Sequence, residues 1–257
     1  MNSAPGCQLT PLPPDRHWQL VIRPRARWFD LHLADLWRYR DLVGMLVRRD
    51  FISQFKQTIL GPAWFVLQPL LTTLIFIVVF GSIANLSTDG LPRMLFYLSG
   101  NVVWMYFSNV LTATSNTFLG NASLFGKVYF PRLAVPLSLA ISHLLRFVLQ
   151  FLFFLCFWAW YAWRGADVEL TRALWLFPLL VLVMAGQALG LGILFSSLTT
   201  KYRDLRFLLE FGVRLLMYAA PVVYPLSALS GRLRWFLLLN PMTAVIEAFR
   251  VGFLGQG

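Results

Sequence analysis

The 257 residues carry only 13% charged side chains against 58% hydrophobic ones, with a mean hydropathy of +0.65. An ordinary globular domain holds about 25% charge, so the composition excludes a water-soluble fold and points to an all-α, polytopic membrane protein. The net charge of +11 then reflects arginines gathered in cytoplasmic segments and implies no nucleic acid. Lys56, Lys127 and Lys201 are followed by Gln, Val and Tyr, so no G-K-[ST] phosphate loop exists and the chain is no P-loop ATPase.

Residues 1–29 read as a flexible arm, because Pro11, Pro13, Pro14 and Pro24 interrupt any helix. They lack the apolar run and small-residue cleavage site of a signal peptide, so the first span must direct insertion. From Asp30 to Arg49, Leu36, Val43 and Val47 recur at helical spacing with Tyr39, Leu42 and Leu46 beside them. Asp30 or Asp35 can cap the start. About 18 residues with several arginines are too polar to span, so this amphipathic helix is expected to lie flat on the membrane or on a partner. A surface anchor meeting anionic lipid is the plainer reading. The junction, residues 30–61, closes on Leu60-Gly61-Pro62, just before Trp64. Gly61 permits a sharp turn and Pro62 suits the first turn of a helix, making this a hinge into the transmembrane domain, 62–257.

Charge-free runs at 57–88, 94–126, 147–163 and 173–200 match the roughly 20 residues that cross a bilayer. They predict spans at about 62–84, 94–118, 135–163 and 173–198, and a fifth is expected at about 207–224. With the N-terminus in the cytoplasm, the inner segments hold 14 Lys and Arg against 6 outside, as the positive-inside bias requires. The piece Trp235–Leu239, bracketed by Pro225 and Pro241, is too short to cross. Region 225–250 is therefore expected to be re-entrant at the outer mouth.

Within the spans, Glu210 and Arg214 are four apart and share a helix face, reading as a structural pair ahead of a substrate contact. His143 and Arg146 have no acid on their own helix. They are expected to face the bundle interior or a phosphate-bearing head group, with snorkelling as the plain alternative. Trp158, Trp160, Tyr161 and Trp163 form an interfacial belt. Trp104, Tyr106 and Phe107 lie deeper, where packing or lipid contact is favoured over lining a glycan channel. Histidines and cysteines show no metal spacing, and Asp167 with Glu169 reads as a solvated turn, so neither a metal nor a catalytic site is expected.

Four stretches in order resemble the transmembrane subunit of ABC-2 type exporters, especially the polysaccharide permeases. They are RRDFISQFKQTILGPAWFVLQPLL (48–71), LFGKVYFPRLAVPLS (124–138), KYRDLRFLLEF (201–211), and APVVYP with LNPMTAVIEAFRVGFLG (220–225, 239–255). One local difference is Gln54-Phe55-Lys56, where relatives often show Arg-Tyr before the basic residue. The resemblance makes Leu124, Phe125, Lys127, Tyr129 and Arg132, with Tyr202, Arg203 and Asp204, the elements that meet a separate ATPase. Leu124, Phe125, Tyr129 and Phe130 would otherwise lie against the bilayer interface. It makes Pro221, Tyr224, Pro225, Asn240, Pro241, Glu247 and Arg250 an external gate. It implies two copies of this chain, two ATPase subunits that bind ATP and Mg, a lipid-linked glycan as cargo, contacts with membrane lipids, and a bacterial inner membrane. The family's usual sixth span has no counterpart before Gly257. Two other classes remain open: an ABC-2 subunit exporting drugs or lipids, and a membrane glycosyltransferase, which would need acids clustered at one membrane face.

Overall fold

A computed structural model describes residues 33–56, 58–121, 125–126, 130–229 and 231–255; the expected arm, 1–29, lies outside them. Among the described residues the regular structure is helical. The elements are α1 (Leu33–Arg38), α2 (Arg40–Phe55), α3 (Trp64–Phe76), α4 (Arg93–Ser115), α5 (Thr117–Gly120), α6 (Ala134–Trp163), α7 (Phe177–Lys201), α8 (Leu205–Tyr218), α9 (Arg232–Leu238) and α10 (Pro241–Leu254). A π-helical continuation, Ile77–Ile83, extends α3, and a 3-10 turn, Arg172–Leu176, leads into α7. The surface helix expected over 30–49 is broken at Tyr39 and runs on to Phe55, because nothing before Lys56 interrupts the backbone ladder.

Three segments are long and apolar enough to cross a membrane: Gly61–Ile83, Ala134–Trp163 and Arg172–Lys201. Five were expected from the sequence. At the second expected position, α4 is long enough, at about 34 Å for 23 residues, but Ser99, Asn101, Thr112, Thr114 and Ser115 dilute its apolarity. It forms the centre of the bundle, buried from Met94 to Ser115 apart from a few positions, with α3, α6, α7, α8 and α10 packed around it. The fifth expected span is a 14-residue helix, α8, about 21 Å long. It stops at Tyr218 because Pro221 cannot continue the ladder.

Small residues bring α7 onto α4. Ala188, Gly192, Ser196 and Thr199 form the buried stripe of α7, the small-residue spacing that lets helix backbones approach. A β-carbon on Gly192 would stand 2.6 Å from Thr114 Cβ. The hydroxyls then serve the freed backbone groups of the tight crossing: Thr199 donates to the Ser115 carbonyl (3.1 Å), and the Phe118 amide donates to Ser196 (3.1 Å). In α3, Pro69 has no N–H for the Phe65 carbonyl. The Gln150 amide, reaching over from α6, donates to that carbonyl instead (3.1 Å), while Asn101 of α4 donates to the Pro69 carbonyl (3.1 Å). On the far side, Phe151, Phe154, Phe177, Phe249 and Phe253 seat α10 on α6 and α7, with the Phe151–Phe177 and Phe249–Phe253 centroids each 4.7 Å apart. Trp104, Tyr106 and Phe107 are buried in this core (4%, 3% and 2% exposed), so they pack and line no channel within the chain.

Candidate functional site

Two groups of the singled-out residues come together, one at each end of α6. At its N-terminal end α2 lies on α6. Val43 and Leu46 are buried with Phe130, Ala134 and Val135, and Leu36, Tyr39, Leu42 and Val47 close the edges of a small core separate from the main one. Phe125 joins it from the loop, stacking on Phe130 (5.4 Å) and meeting Phe118 (5.9 Å). The aromatic patch expected to meet an ATPase or the bilayer interface is thus partly packed on its own chain. Arg132 is exposed, as are Tyr202, Arg203 and Asp204; Leu124, Lys127 and Tyr129 lie outside the described residues. The Lys201 ammonium sits 5.2 Å over the Tyr202 ring. Asp204 opens α8 with its carbonyl, which accepts from Phe207 and Leu208.

The hinge joins this platform to the first span. Gly61 has φ +49°, a left-handed conformation that favours glycine. Leu60 and Trp64 are exposed on either side, and Pro62 stands in the 3-10 turn Gly61–Ala63. Phe51 of α2 reaches across to Phe65 of α3, with ring centroids 6.2 Å apart. Arg146 of α6 lies over the same Phe65 ring (5.4 Å). Asp50 of α2 is held by Arg49 (2.8 Å). His143 is half-buried on α6.

At the other end the chain leaves α8 through a buried turn. Asn240 clamps it: its Oδ1 accepts from the Met242 amide (3.0 Å), capping α10, while its Nδ2 donates to the Ala219 carbonyl (3.0 Å). Pro241 follows at the first turn of α10, where a missing N–H costs nothing. Tyr224 donates to the Tyr218 carbonyl (2.8 Å), and Pro221 and Pro225 are buried beside it. Thr243 donates to the Leu237 carbonyl at the end of α9 (2.7 Å).

Arg250 is the centre of this end. Its side chain is 1% exposed and meets Glu247 (3.3 Å). It donates to the Val222 carbonyl (2.9 Å) and lies 3.8 Å from the Phe96 ring centroid of α4. Gly100 makes room: a β-carbon there would stand 2.9 Å from both the guanidinium and the Val222 carbonyl. Sequence counted Arg250 among the outer arginines and, by resemblance, in the gate; the structure buries it among the Val222 carbonyl, Glu247 and the Phe96 ring. Nearby, Ser227 donates to Asp89 (2.6 Å), tying the loop before α4 to the same region. Trp158 donates to the Phe253 carbonyl (2.7 Å) and Thr171 to the Val251 carbonyl (2.7 Å), fixing the far end of α10.

The expected Glu210–Arg214 pair is not formed. Glu210 accepts from Arg206 instead (3.2 Å); both arginines are four residues away, and an arginine on either side of the acid is equally in reach. Among the described residues no three His, Cys, Asp or Glu side chains converge as a metal site would need.

Comparison with known proteins fits this frame. Residues 41–254 match the family model of the ABC-2 type transporter. The chain is similar to the O-antigen export system permease protein RfbA of Klebsiella pneumoniae, 25% identical over 83% of this chain and 80% of that protein. It is 26% identical to the RfbA of Myxococcus xanthus, covering 86% and 83%. The polysialic acid transport protein KpsM of Escherichia coli is 22% identical over 84% and 83%. A match that takes in α2 and ends with α10 includes both ends described above, and the chain belongs to the ABC-2 type transporter family.

Proposed function

We propose that this chain is the transmembrane subunit of an ATP-driven exporter that carries a lipid-linked polysaccharide, of the O-antigen or capsule kind, across a bacterial inner membrane. The observation that carries this reading is similarity over more than four-fifths of the chain to several permeases named for export of such polymers. The chain has no phosphate-binding loop of its own, so ATP and Mg belong to a separate ATPase present in two copies. Two copies of this chain form the conduit, since so few helices can scarcely enclose a polymer. Its N-terminus is cytoplasmic, α4 and α8 complete a five-pass topology, and α9 with α10 dip into the outer leaflet.

In this scheme the ATPase presses on the α2–α6 platform and on the loops around Phe125 and Arg203. The Gly61 turn passes that push to α3. The Asn240 clamp and the Arg250 lock hold the outer end shut until the helices shift. Purification of the tagged full-length chain from its native membrane in mild detergent tests this. A stoichiometric P-loop ATPase is the expected companion, and a strain lacking the gene should retain polysaccharide inside and lose it from the surface. No ATPase partner and an unchanged surface would reject the reading.

A further inference from the structure

The charges on α8 are not scattered. Arg206, Glu210 and Arg214 recur every four residues, which at about 100° per residue aligns them in one stripe. On one side of that stripe Leu209 and Val213 enter the core (5% and 8% exposed). On the other, Phe207, Phe211, Leu215 and Tyr218 face away from the chain. Arg206 and Glu210 are paired and half exposed. Arg214 is exposed, and among the described residues it enters no ion pair.

Depth gives this arrangement its meaning. α7 ends at Lys201 and α8 turns back after three residues to pack on α4 and α7. Arg214 is nine residues into α8, about 14 Å above its start, which the five-pass topology proposed above puts close to the middle of a ~30 Å hydrocarbon layer. A guanidinium at that depth which its own chain neither pairs nor covers needs water, an anion or a group of the second copy, and the labelling experiment below separates a wet position from one sealed by that copy. Glu210, engaged with Arg206, leaves the stripe with a net charge of +1. That is enough to attract an anion and too little to trap one, as a conducting path requires.

We infer that the Arg206–Glu210–Arg214 stripe lines the aqueous pathway and that Arg214 receives an oxyanion of the phosphate-ester class as it passes. Arginine suits this role because its planar fork holds a phosphate through two parallel hydrogen bonds. The inference rests on the export reading above, with the lipid carrier of the glycan as the source of the phosphate. Bilayer head groups offer the same chemistry and are the source to be told apart.

The gene deletion tests the underlying reading first: unchanged surface polysaccharide would overturn both. With export established, Arg214→Cys in a Cys7→Ser/Cys156→Ser chain is exposed to a membrane-impermeant thiol reagent in the assembled complex. Labelling is expected, and no labelling overturns the inference. The complex with its ATPase, in phosphatidylcholine nanodiscs, is then titrated with polyprenyl pyrophosphate. Arg214→Gln should weaken binding at least ~10-fold, as loss of a charged hydrogen-bond partner does, while Arg214→Lys retains most of it. Equal binding by Arg214→Gln and the unaltered chain overturns the inference. So does an equal Arg214-dependent effect of phosphatidylglycerol, which would make the stripe a head-group site.

Discussion

The two ends of α6 are held by different physics. At the N-terminal end α2 rests on α6 through Val43, Leu46, Phe130 and Val135, a contact that is apolar and has little directional preference. At the C-terminal end α10 is fixed by Asn240, Trp158, Thr171 and the Arg250 fork, bonds that weaken steeply when bent or stretched. A greasy seat tolerates small shifts while staying buried. A polar lock is either made or broken. A device that receives force at one end and opens at the other needs those two behaviours in that order.

The sharpest way to break this comparison is to remove the lock. Arg250→Ala leaves Glu247 and the Val222 carbonyl buried without their partner, at a cost of about 3–5 kcal/mol, read as a large fall in the melting temperature of the purified complex. Arg250→Met with Glu247→Leu should recover most of it, because an apolar replacement of a buried pair is often neutral. If the double variant melts as low as the single one, the pair is not what holds α10. Gly100→Ala comes next. Its new β-carbon meets the Val222 backbone, and overpacking of this kind costs about 1–3 kcal/mol, seen as a smaller fall in the same measurement.

At the seat the expected signature changes from unfolding to uncoupling. Leu46→Ala removes packing worth about 2 kcal/mol locally, and ATP hydrolysis should persist while surface polysaccharide falls. Phe125→Ala with Lys127→Ala should do the same, and normal export in that double variant would remove the loop from the coupling path. The smallest effect belongs to Arg49→Gln, which loses a partly exposed pair worth about 0–1 kcal/mol. A loss of melting temperature as large as that of Gly100→Ala would mean that Asp50 depends on Arg49 far more than an exposed pair allows.

Much of the helical framework was legible because charge-free runs and the Gly-Pro junction are local signals. The 30-residue α6 and the α7 span lie where those runs lie. What failed was anything decided by distant neighbours. The span expected at 94–118 is where α4 lies, but its Thr114 and Ser115 say nothing of the helix opposite until Gly192 and Thr199 are seen against them. Arg250 looked like one more outer charge until Val222, Phe96 and Gly100 closed around it. Glu210 had two arginines at equal spacing, and spacing alone cannot choose between them. Arg146 lacked a partner on its own helix because its contact, the Phe65 ring, stands on a helix about eighty residues earlier in the chain.

The tethers on α10 are unequal along its length. Trp158 and Thr171 bind its last residues, whereas its start is held to α9 by Thr243 and to α8 through the single side chain of Asn240. Fourteen residues make a lever of about 21 Å. A swing of about 10° around the stitched end would carry Asn240 through nearly 4 Å, further than a hydrogen bond can stretch. In the export scheme proposed above, Asn240 is then the bolt, and Trp158 with Thr171 the hinge post, of a door hung at one edge.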